Sequence, residues 1–194
     1  ISVCYNVHMT SPRIFLIHGW GGSPQSDWFP WAIQEFSKLD FEVIAPLMPD
    51  TETPVIQAWV DHLSAQVGKI RDSDIFIGHS IGCQTILRYL EQSNGVVVKV
   101  ILVAPWFTLT NLENDDAWKV AEPWIKTNMD FSKISNKSNK FITIFSDNDP
   151  WVPYLENRAM FEEKLNPGVV VLHNKGHITA DEGTTELPEL LKHL

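Results

Sequence analysis

Cysteine is scarce in this sequence. Among its 194 residues only Cys4 and Cys83 are cysteines, and neither belongs to a Cys-x-x-Cys pair. Small disulfide-stabilised secreted modules and structural zinc sites need more cysteines at closer spacings. The sequence therefore argues against a disulfide framework and favours a reducing compartment, so we expect a cytoplasmic protein.

Positive charge and long apolar runs are also lacking. Lys and Arg total 15 against 24 Asp and Glu, a formal net charge of -9, and the basic residues are scattered along the chain. A surface of this sign repels phosphate backbones and anionic lipid headgroups, so we expect no nucleic-acid partner and no membrane partner. Apolar runs such as residues 96–104 are too short to span a bilayer, and no basic segment followed by an apolar one precedes them.

The sequence does contain an alternation of apolar, β-branched segments with segments of helical spacing. Strands are predicted at residues 13–17, 42–45, 74–77, 97–103, 140–145 and 169–172, and helices at 55–70, 81–91, 154–164 and 185–194. We expect Thr53 to cap the first of these helices, with Pro54 in its first turn. The order is typical of βαβ units, which predicts an α/β fold of three layers: a mostly parallel sheet of about six strands with helices on both faces.

Residues 1–194 have the length of one domain, and two stretches within it stand apart. Residues 1–8 precede Met9, at which we expect the natural product to start, so they are set aside from the functional argument. Between residues 106 and 139 the periodicity weakens and tryptophans are mixed with polar residues. This segment is either a small lid or insertion that lines a substrate site, or a surface connection with its own aromatic cluster.

The strongest chemical signal is Gly78-His79-Ser80-Ile81-Gly82, a G-x-S-x-G that follows a predicted strand and precedes a predicted helix. In that context the serine occupies a sharp, strained turn that exposes its hydroxyl above the sheet. The glycines leave room for the neighbouring strand and helix. The motif predicts Ser80 as a nucleophile, although an isolated G-x-S-x-G is also common in ordinary turns.

A second glycine-rich loop, His18-Gly19-Trp20-Gly21-Gly22, follows the first predicted strand. It lacks the spacing of phosphate-binding loops. We expect the backbone N–H groups of Trp20 and Ile81 to form an oxyanion hole, because N–H donors there would face charge that develops on a bound carbonyl oxygen.

An acid is expected after the fifth strand, where Asp147 and Asp149 compete. We favour Asp149, because it lies directly before the rigid Pro150-Trp151-Val152-Pro153 turn. Asp147 is the alternative, and both could be turn formers. The acid would orient a histidine and stabilise its imidazolium.

The general base is expected after the sixth strand, where His173 and His177 are the candidates. His177 is favoured, because it lies out on the loop whereas His173 lies at the strand end. The chain order Ser80, Asp149, His177 is the order expected of α/β-hydrolases.

The remaining residues of interest are predicted to have supporting roles. His18 and His79 are expected to make local hydrogen bonds, Cys83 to be a core residue, and no metal or cofactor is predicted, since no zinc spacing is present. Tryptophans near the loops suggest a mostly apolar acyl or alcohol pocket. The candidate substrate-binding residues are Trp28, Trp106 and Trp151, with Trp20 close by.

Over nearly its whole length the sequence resembles the retinoblastoma-binding-protein-nine family of small serine hydrolases within the α/β-hydrolase superfamily. The features that carry the resemblance are the short lead into the glycine-rich loop, Trp28 and Trp31, Met48-Pro49-Asp50, Ile77-Gly78-His79-Ser80, Asp149-Pro150 with Val152-Pro153, and Gly176-His177. The resemblance implies a triad of Ser80, Asp149 and His177 and a reduced sheet that lacks the first strands of larger members. His18-Gly19-Trp20 departs from the loop that some members carry, and the absence of L-x-C-x-E gives no reason to expect the retinoblastoma protein as a partner.

The expected function is cleavage of an ester, thioester or activated amide of a small substrate through an acyl-enzyme on Ser80, with carboxylesterase as the narrowest description. Two alternatives stay open. One is a triad that acts as a base without an acyl-enzyme, as in lyases, and the other is a catalytically silent binding module.

Overall fold

The structure is a computed structural model that describes residues 11–194; the stretch 1–8, Cys4 and Met9 lie outside the described residues. The strands are β1 (Arg13–Ile17), β2 (Glu42–Ile44), β3 (Ile75–His79), β4 (Lys99–Val103), β5 (Phe141–Ser146) and β6 (Gly168–Leu172). The helices are α1 (Phe29–Lys38), α2 (Ile56–Val67), α3 (Ile81–Gln92), α4 (Asp115–Lys126), α5 (Phe131–Ile134) and α6 (Tyr154–Leu165), followed by 3-10 helices at Ala180–Glu182 and Pro188–His193.

The six strands form one sheet in the order β2-β1-β3-β4-β5-β6, with every neighbouring pair parallel. The chain reverses its direction of travel across the sheet between β1 and β3, which are neighbours. In an open parallel sheet, ligands bind outside the carboxyl ends of the strands at such a switch point. The loops after β1 and β3, which carry Trp20 and Ser80, meet there.

Two apolar layers enclose the sheet. Phe15, Ile17 and Phe76 face α2, α3 and α6, whereas Ile14 and Leu16 face α1 and the C-terminal 3-10 helix. Strands β1, β3 and β5 are buried along their whole length, because helices cover both faces of a parallel sheet. The predicted three-layer α/β architecture is confirmed, and the sheet of the described residues is wholly parallel.

Helix α1 was not predicted from the sequence. It buries Phe29, Ala32 and Phe36, which recur at helical spacing, and it has a proline in its first turn. Both signals are present in the sequence, but the adjacent Trp28 and Trp31 obscure the pattern.

Two predicted helix ends are corrected. Helix α2 begins at Ile56 behind an extended Val55, not behind Thr53. The Pro54 carbonyl accepts a hydrogen bond from the Trp124 indole at 2.9 Å and is therefore withdrawn from the helix. The helix predicted at 185–194 is a 3-10 helix that starts at Pro188. A proline disfavours the α conformation in the residue before it, and too few residues follow Pro188 for a stable α-helix.

The segment 106–139 contains α4 and α5, which the weak periodicity did not predict. Asn114 caps α4 by accepting from the Ala117 N–H at 2.9 Å, and Pro123 lies inside the helix. Ala121 and Trp124 are buried, and the Arg88 guanidinium of α3 donates to the carbonyls of Trp124 and Thr127 at 2.9 and 2.8 Å. The carboxyl-terminal end of α4 is thus anchored to the helix that follows Ser80.

Candidate active site

Ser80 occupies a strained turn between β3 and α3. Its backbone has φ 53° and ψ -120°, and a positive φ is a conformation that non-glycine residues rarely adopt. A Cβ on Gly82 would lie 2.3 Å from the Ile17 carbonyl oxygen, and one on Gly78 would lie 2.8 Å from the Cys83 nitrogen. Glycine is required at both positions, so the G-x-S-x-G motif meets the packing demands of a nucleophile elbow.

Two backbone N–H groups beside Ser80 are free to bind an anion. Within residues 11–194 neither the Trp20 nor the Ile81 N–H has a hydrogen-bond partner, and both residues line the cavity that contains Ser80. Ile81 begins α3, so its N–H is one of the unpaired donors at the positive end of a helix. This arrangement suits an oxyanion hole, which stays a prediction.

His18 and His79 make local hydrogen bonds. The His18 Nε2 accepts from the Met48 N–H at 2.9 Å, which leaves Nδ1 to donate to the Gly19 carbonyl at 2.8 Å. The His79 Nε2 donates to the His177 carbonyl at 2.8 Å. Burial lowers the pKa of His18, and burial together with the nearby His177 lowers the pKa of His79 to about 3. Both rings are therefore neutral, and their hydrogen bonds hold the loops around Ser80 in place.

Asp149 and His177 form a buried pair. Their Oδ2 and Nδ1 atoms are 2.7 Å apart, and their side chains are 2% and 9% exposed. The other carboxylate oxygen of Asp149 accepts from the N–H groups of Trp151 and Val152, both at 3.0 Å. The carboxylate is thus held in place and fixes the orientation of the imidazole, as the acid of a triad does.

Asp147 and His173, the alternative candidates for the acid and the base, pair with each other. The Asp147 Oδ2 and His173 Nδ1 are 2.6 Å apart, and His173 is 80% exposed. A hydrogen bond from the Asn174 N–H, and then the one from His173, lowers the pKa of Asp147. Neither residue lines the cavity of Ser80. The structure thus places His177 at the cavity with Asp149 buried behind it, and places the other pair at the surface.

The loops after β5 and β6 are joined by side chains that sequence reasoning missed. The N–H groups of Lys175 and Gly176 donate to Ser146 Oγ at 3.0 Å and to Asn148 Oδ1 at 2.8 Å. Ser146 and Asn148 also bond each other at 2.8 Å. Ser and Asn often bond backbone groups in turns, and that was the available signal. These bonds tie the two residues before His177 to the end of β5 and the loop that follows it.

Glu182 was also missed by sequence reasoning. Its carboxylate accepts from the His177 backbone N–H and, at 3.2 Å, from the Thr179 hydroxyl. A Cβ on Gly176, whose φ is +51°, would collide with this carboxylate. Glu182 therefore holds the backbone of His177, next to the Gly176 N–H that Asn148 holds.

A cavity of about 930 Å³ lies over these residues. Ser80, His177, Trp20 and Ile81 line it, as do Trp106 and Trp151. Apolar side chains from the 106–139 segment complete the wall: Leu109, Leu112, Ala117 and Val120. This placement favours the interpretation of that segment as part of a substrate site.

The structure places Trp28 outside this cavity. It is 0% exposed, stacks on Phe29 with 4.3 Å between ring centroids and meets the His79 ring edge-on at 6.0 Å. Trp28 directly precedes α1, and it packs with the buried face of that helix against the sheet. Trp28 is therefore a core residue, not a substrate contact.

Ser80 and His177 line the same cavity, but within residues 11–194 no hydrogen bond joins their side chains. The Ser80 Oγ instead accepts from the Trp106 indole at 3.3 Å. Cys83, one turn along α3, is buried, and its thiol donates to the carbonyls of Gly78 and Val103. Burial raises the pKa of Cys83, which suits a core residue.

His79 is expected to make the protein less stable in acid. Its pKa is lowered to about 3 in the folded chain, and an unfolded histidine titrates near 6.5. The unfolded state therefore binds more protons as the pH falls below about 6.5, so this contribution is present above that pH and is lost toward pH 3. Between pH 7 and pH 5 the free energy of unfolding should fall by about 2 kcal/mol less in His79→Gln than in the parent.

Urea unfolding at the two pH values measures this difference. His173→Gln is the control, because the His173 ring is 80% exposed. An equal loss of stability in His79→Gln and the parent would show that His79 is not a neutral, buried ring.

Residues 11–194 contain neither a membrane-spanning helix nor a clustered metal site. In the stretch from Ser11 onward no helix is both long and apolar enough to cross a membrane. No group of three or more His, Cys, Asp or Glu side chains in residues 11–194 is arranged to hold a metal ion.

The parallel sheet, the serine on a strained strand-to-helix turn and the Asp–His pair beyond it define an α/β-hydrolase. A family model described as "Serine hydrolase" matches residues 14–194, and the chain belongs to that family. The predicted fold and the resemblance to small serine hydrolases are confirmed.

Known proteins that resemble the chain agree with this assignment. YdeN of Bacillus subtilis (strain 168) is 26% identical over 179 residues, which cover 91% of this chain and 90% of YdeN. The crystal structure of the B. subtilis ydeN gene product superposes with a TM-score of 0.85 at 24% identity, covering 94% of this chain and 96% of that one.

Two more distant structures share the fold. Est1E of Butyrivibrio proteoclasticus, solved with ferulic acid bound, has a TM-score of 0.71 at 14% identity and covers 99% of this chain and 89% of its own. A structure from work on carboxylesterases of Nitrososphaera gargenis has a TM-score of 0.67 at 18% identity. The match covers 94% of this chain and 89% of that one.

Proposed function

We propose that this serine hydrolase cleaves an ester, thioester or activated amide of a small substrate through an acyl-enzyme on Ser80. The observation that carries the proposal is the strained Ser80 at the start of α3, in one cavity with a His177 that is held by Asp149. Backbone strain of this kind costs about 1–3 kcal/mol and persists at sites where it serves function.

In the first step His177 accepts the hydroxyl proton as Ser80 Oγ attacks the carbonyl carbon. The imidazolium that forms is stabilised by the Asp149 carboxylate. The N–H groups of Trp20 and Ile81 stabilise the oxyanion, and His177 gives its proton to the leaving group. A water molecule, activated by His177, then releases the acid.

The lining of the cavity supports a partly apolar substrate. Trp106, Trp151 and the 106–139 segment supply apolar surface near Ser80. Two proteins that share the fold agree with this: Est1E has ferulic acid bound, and the N. gargenis structure comes from work on carboxylesterases. A small ester is therefore the substrate class we propose, and carboxylesterase is the narrowest description of the activity.

Labelling with a fluorophosphonate probe tests the proposal. The purified protein should gain one probe per chain by intact mass, and Ser80→Ala and His177→Ala should abolish labelling. His173→Ala is the matched control, because this histidine pairs with Asp147 at the surface and should label normally.

Hydrolysis of p-nitrophenyl esters of graded length then defines the acyl group that is accepted. Absence of labelling in a well-folded protein would favour the binding-module alternative. Labelling of Ser80 without an isolable acyl-enzyme from any ester would favour a lyase-like use of the triad.

A further inference from the structure

The indole of Trp106 contacts the atom that the proposed mechanism uses. Its Nε1–H donates to Ser80 Oγ at 3.3 Å, and within residues 11–194 this is the one hydrogen bond made by the Ser80 side chain. The sequence predicted Trp106 only as an apolar wall of the substrate site. The structure directs the polar edge of the ring at the nucleophile.

Trp106 is held so that this contact persists. Gln84, which lies one turn beyond Ser80 on α3, donates to the Trp106 carbonyl at 2.9 Å. The two residues after Trp106 donate their N–H groups to the buried Asn157 Oδ1, at 2.6 and 3.0 Å. The tryptophan itself is 2% exposed. The donor therefore does not need to reorganise when charge develops near it, which is the condition for electrostatic catalysis.

A donor at this position acts more strongly on the transition state than on the resting enzyme. A bond of 3.3 Å to a neutral hydroxyl is long, whereas N–H bonds to anionic oxygen are about 2.7–2.9 Å and roughly twice as strong. The Ser80 Oγ gains negative charge twice: when its proton leaves for His177, and when its bond to the acyl carbon breaks. An interaction that strengthens only at those moments accelerates the reaction.

We infer that Trp106 is a catalytic residue whose indole N–H stabilises the charge on Ser80 Oγ in both half-reactions. In acylation the Oγ–H bond breaks, the proton goes to His177, and the Oγ–carbon bond forms as the carbonyl oxygen becomes an oxyanion. The oxyanion then re-forms the carbonyl, the bond from carbon to the leaving group breaks, and the leaving group takes the proton from His177. In deacylation a water oxygen bonds the acyl carbon and its proton goes to His177. The carbon–Oγ bond then breaks, and Oγ takes that proton back from His177. Trp106 keeps its own proton throughout, and the inference rests on the proposed function.

Trp106→Phe tests the inference, because it keeps an aromatic ring and removes the N–H. The loss of one hydrogen bond to a charged oxygen predicts a roughly 10- to 100-fold fall in kcat on p-nitrophenyl esters and in single-turnover deacylation. KM should change little, and the pH midpoint of kcat should stay unchanged, since His177 and Asp149 are not touched. Trp118→Phe, on the exposed side of α4 and 37% exposed, is the matched control and should retain full activity.

The outcomes separate this inference from the proposed function. Parent protein that neither labels with the fluorophosphonate nor turns over esters would overturn the proposed function first. Parent protein that labels, together with a Trp106→Phe variant whose kcat is within twofold of it, would overturn the inference alone. A rise in KM with unchanged kcat would also overturn it, because Trp106 would then be only a substrate wall.

A second variant guards against a failure of Trp106→Phe to fold. Incorporation of 3-benzothienylalanine at position 106 keeps the bicyclic shape and replaces the N–H by sulfur. The same 10- to 100-fold fall in kcat is expected from the loss of that one donor. Full activity of this variant would overturn the inference.

Discussion

Ser80→Ala is expected to lower kcat on a p-nitrophenyl ester by about 10⁵- to 10⁶-fold without unfolding the protein. Removal of Oγ leaves no nucleophile, and only the free N–H groups and substrate binding would then contribute to the rate. Alanine keeps the Cβ, so the backbone at φ 53° is no more strained than before, and the melting temperature should stay close to that of the parent.

The kinetic measurement needs a control for the loss of a hydroxyl. Ser64→Ala changes an exposed serine of α2 and should leave kcat unchanged. A Ser80→Ala protein that keeps more than about one hundredth of the parent rate would contradict the acyl-enzyme mechanism, because removing a catalytic serine costs orders of magnitude more.

Asp149→Asn is expected to lower kcat by about 10⁴-fold, and Asp147→Asn by less than about threefold. The two changes are chemically identical and fall on the same loop, but only Asp149 bonds His177. An asparagine amide beside Nδ1 stabilises the wrong imidazole tautomer. Its carbonyl oxygen can still accept from the Trp151 and Val152 N–H groups, so the turn should persist.

Steady-state kinetics of the two asparagine variants, with circular dichroism as a check of folding, measure this contrast. Equal losses in both would show that the loop, and not a particular carboxylate, governs the rate. A larger loss in Asp147→Asn would transfer the role of the acid to Asp147.

The sequence predicted the six strands because each is an apolar, β-branched run, and several of these runs alternate with segments of helical spacing. Ends were less accurate: β3 extends to His79, and β4 begins at Lys99 although the apolar run starts earlier. Helix α1, which the sequence did not predict, depends on packing. The 3-10 helix that replaces the predicted C-terminal α-helix depends on a single proline. Local propensity therefore predicts those elements less well than the alternation of apolar and helical segments predicts the strands.

The sequence favoured Asp149 over Asp147 as the acid of the triad but did not decide between them. Both aspartates follow β5, and both candidate histidines follow β6. Asp147 accepts from the Asn174 N–H and pairs with His173 at the surface, whereas Asp149 accepts from its own turn and pairs with His177 at the cavity. Which partner each carboxylate meets depends on how two loops are joined, here by bonds from Ser146 and Asn148 to residues 29 and 28 positions further along the chain.

By itself the sequence determined the class of fold, the strained serine turn and the order of the candidate triad, because these follow from local patterns at strand ends. Only the tertiary structure decided that Trp28 belongs to the core, that Trp106 directs its N–H at Ser80, and that Glu182 holds the His177 backbone. The physical reason is that burial and hydrogen-bond partners come from residues far apart in the chain, whose meeting is set by the packing of the sheet and its helices.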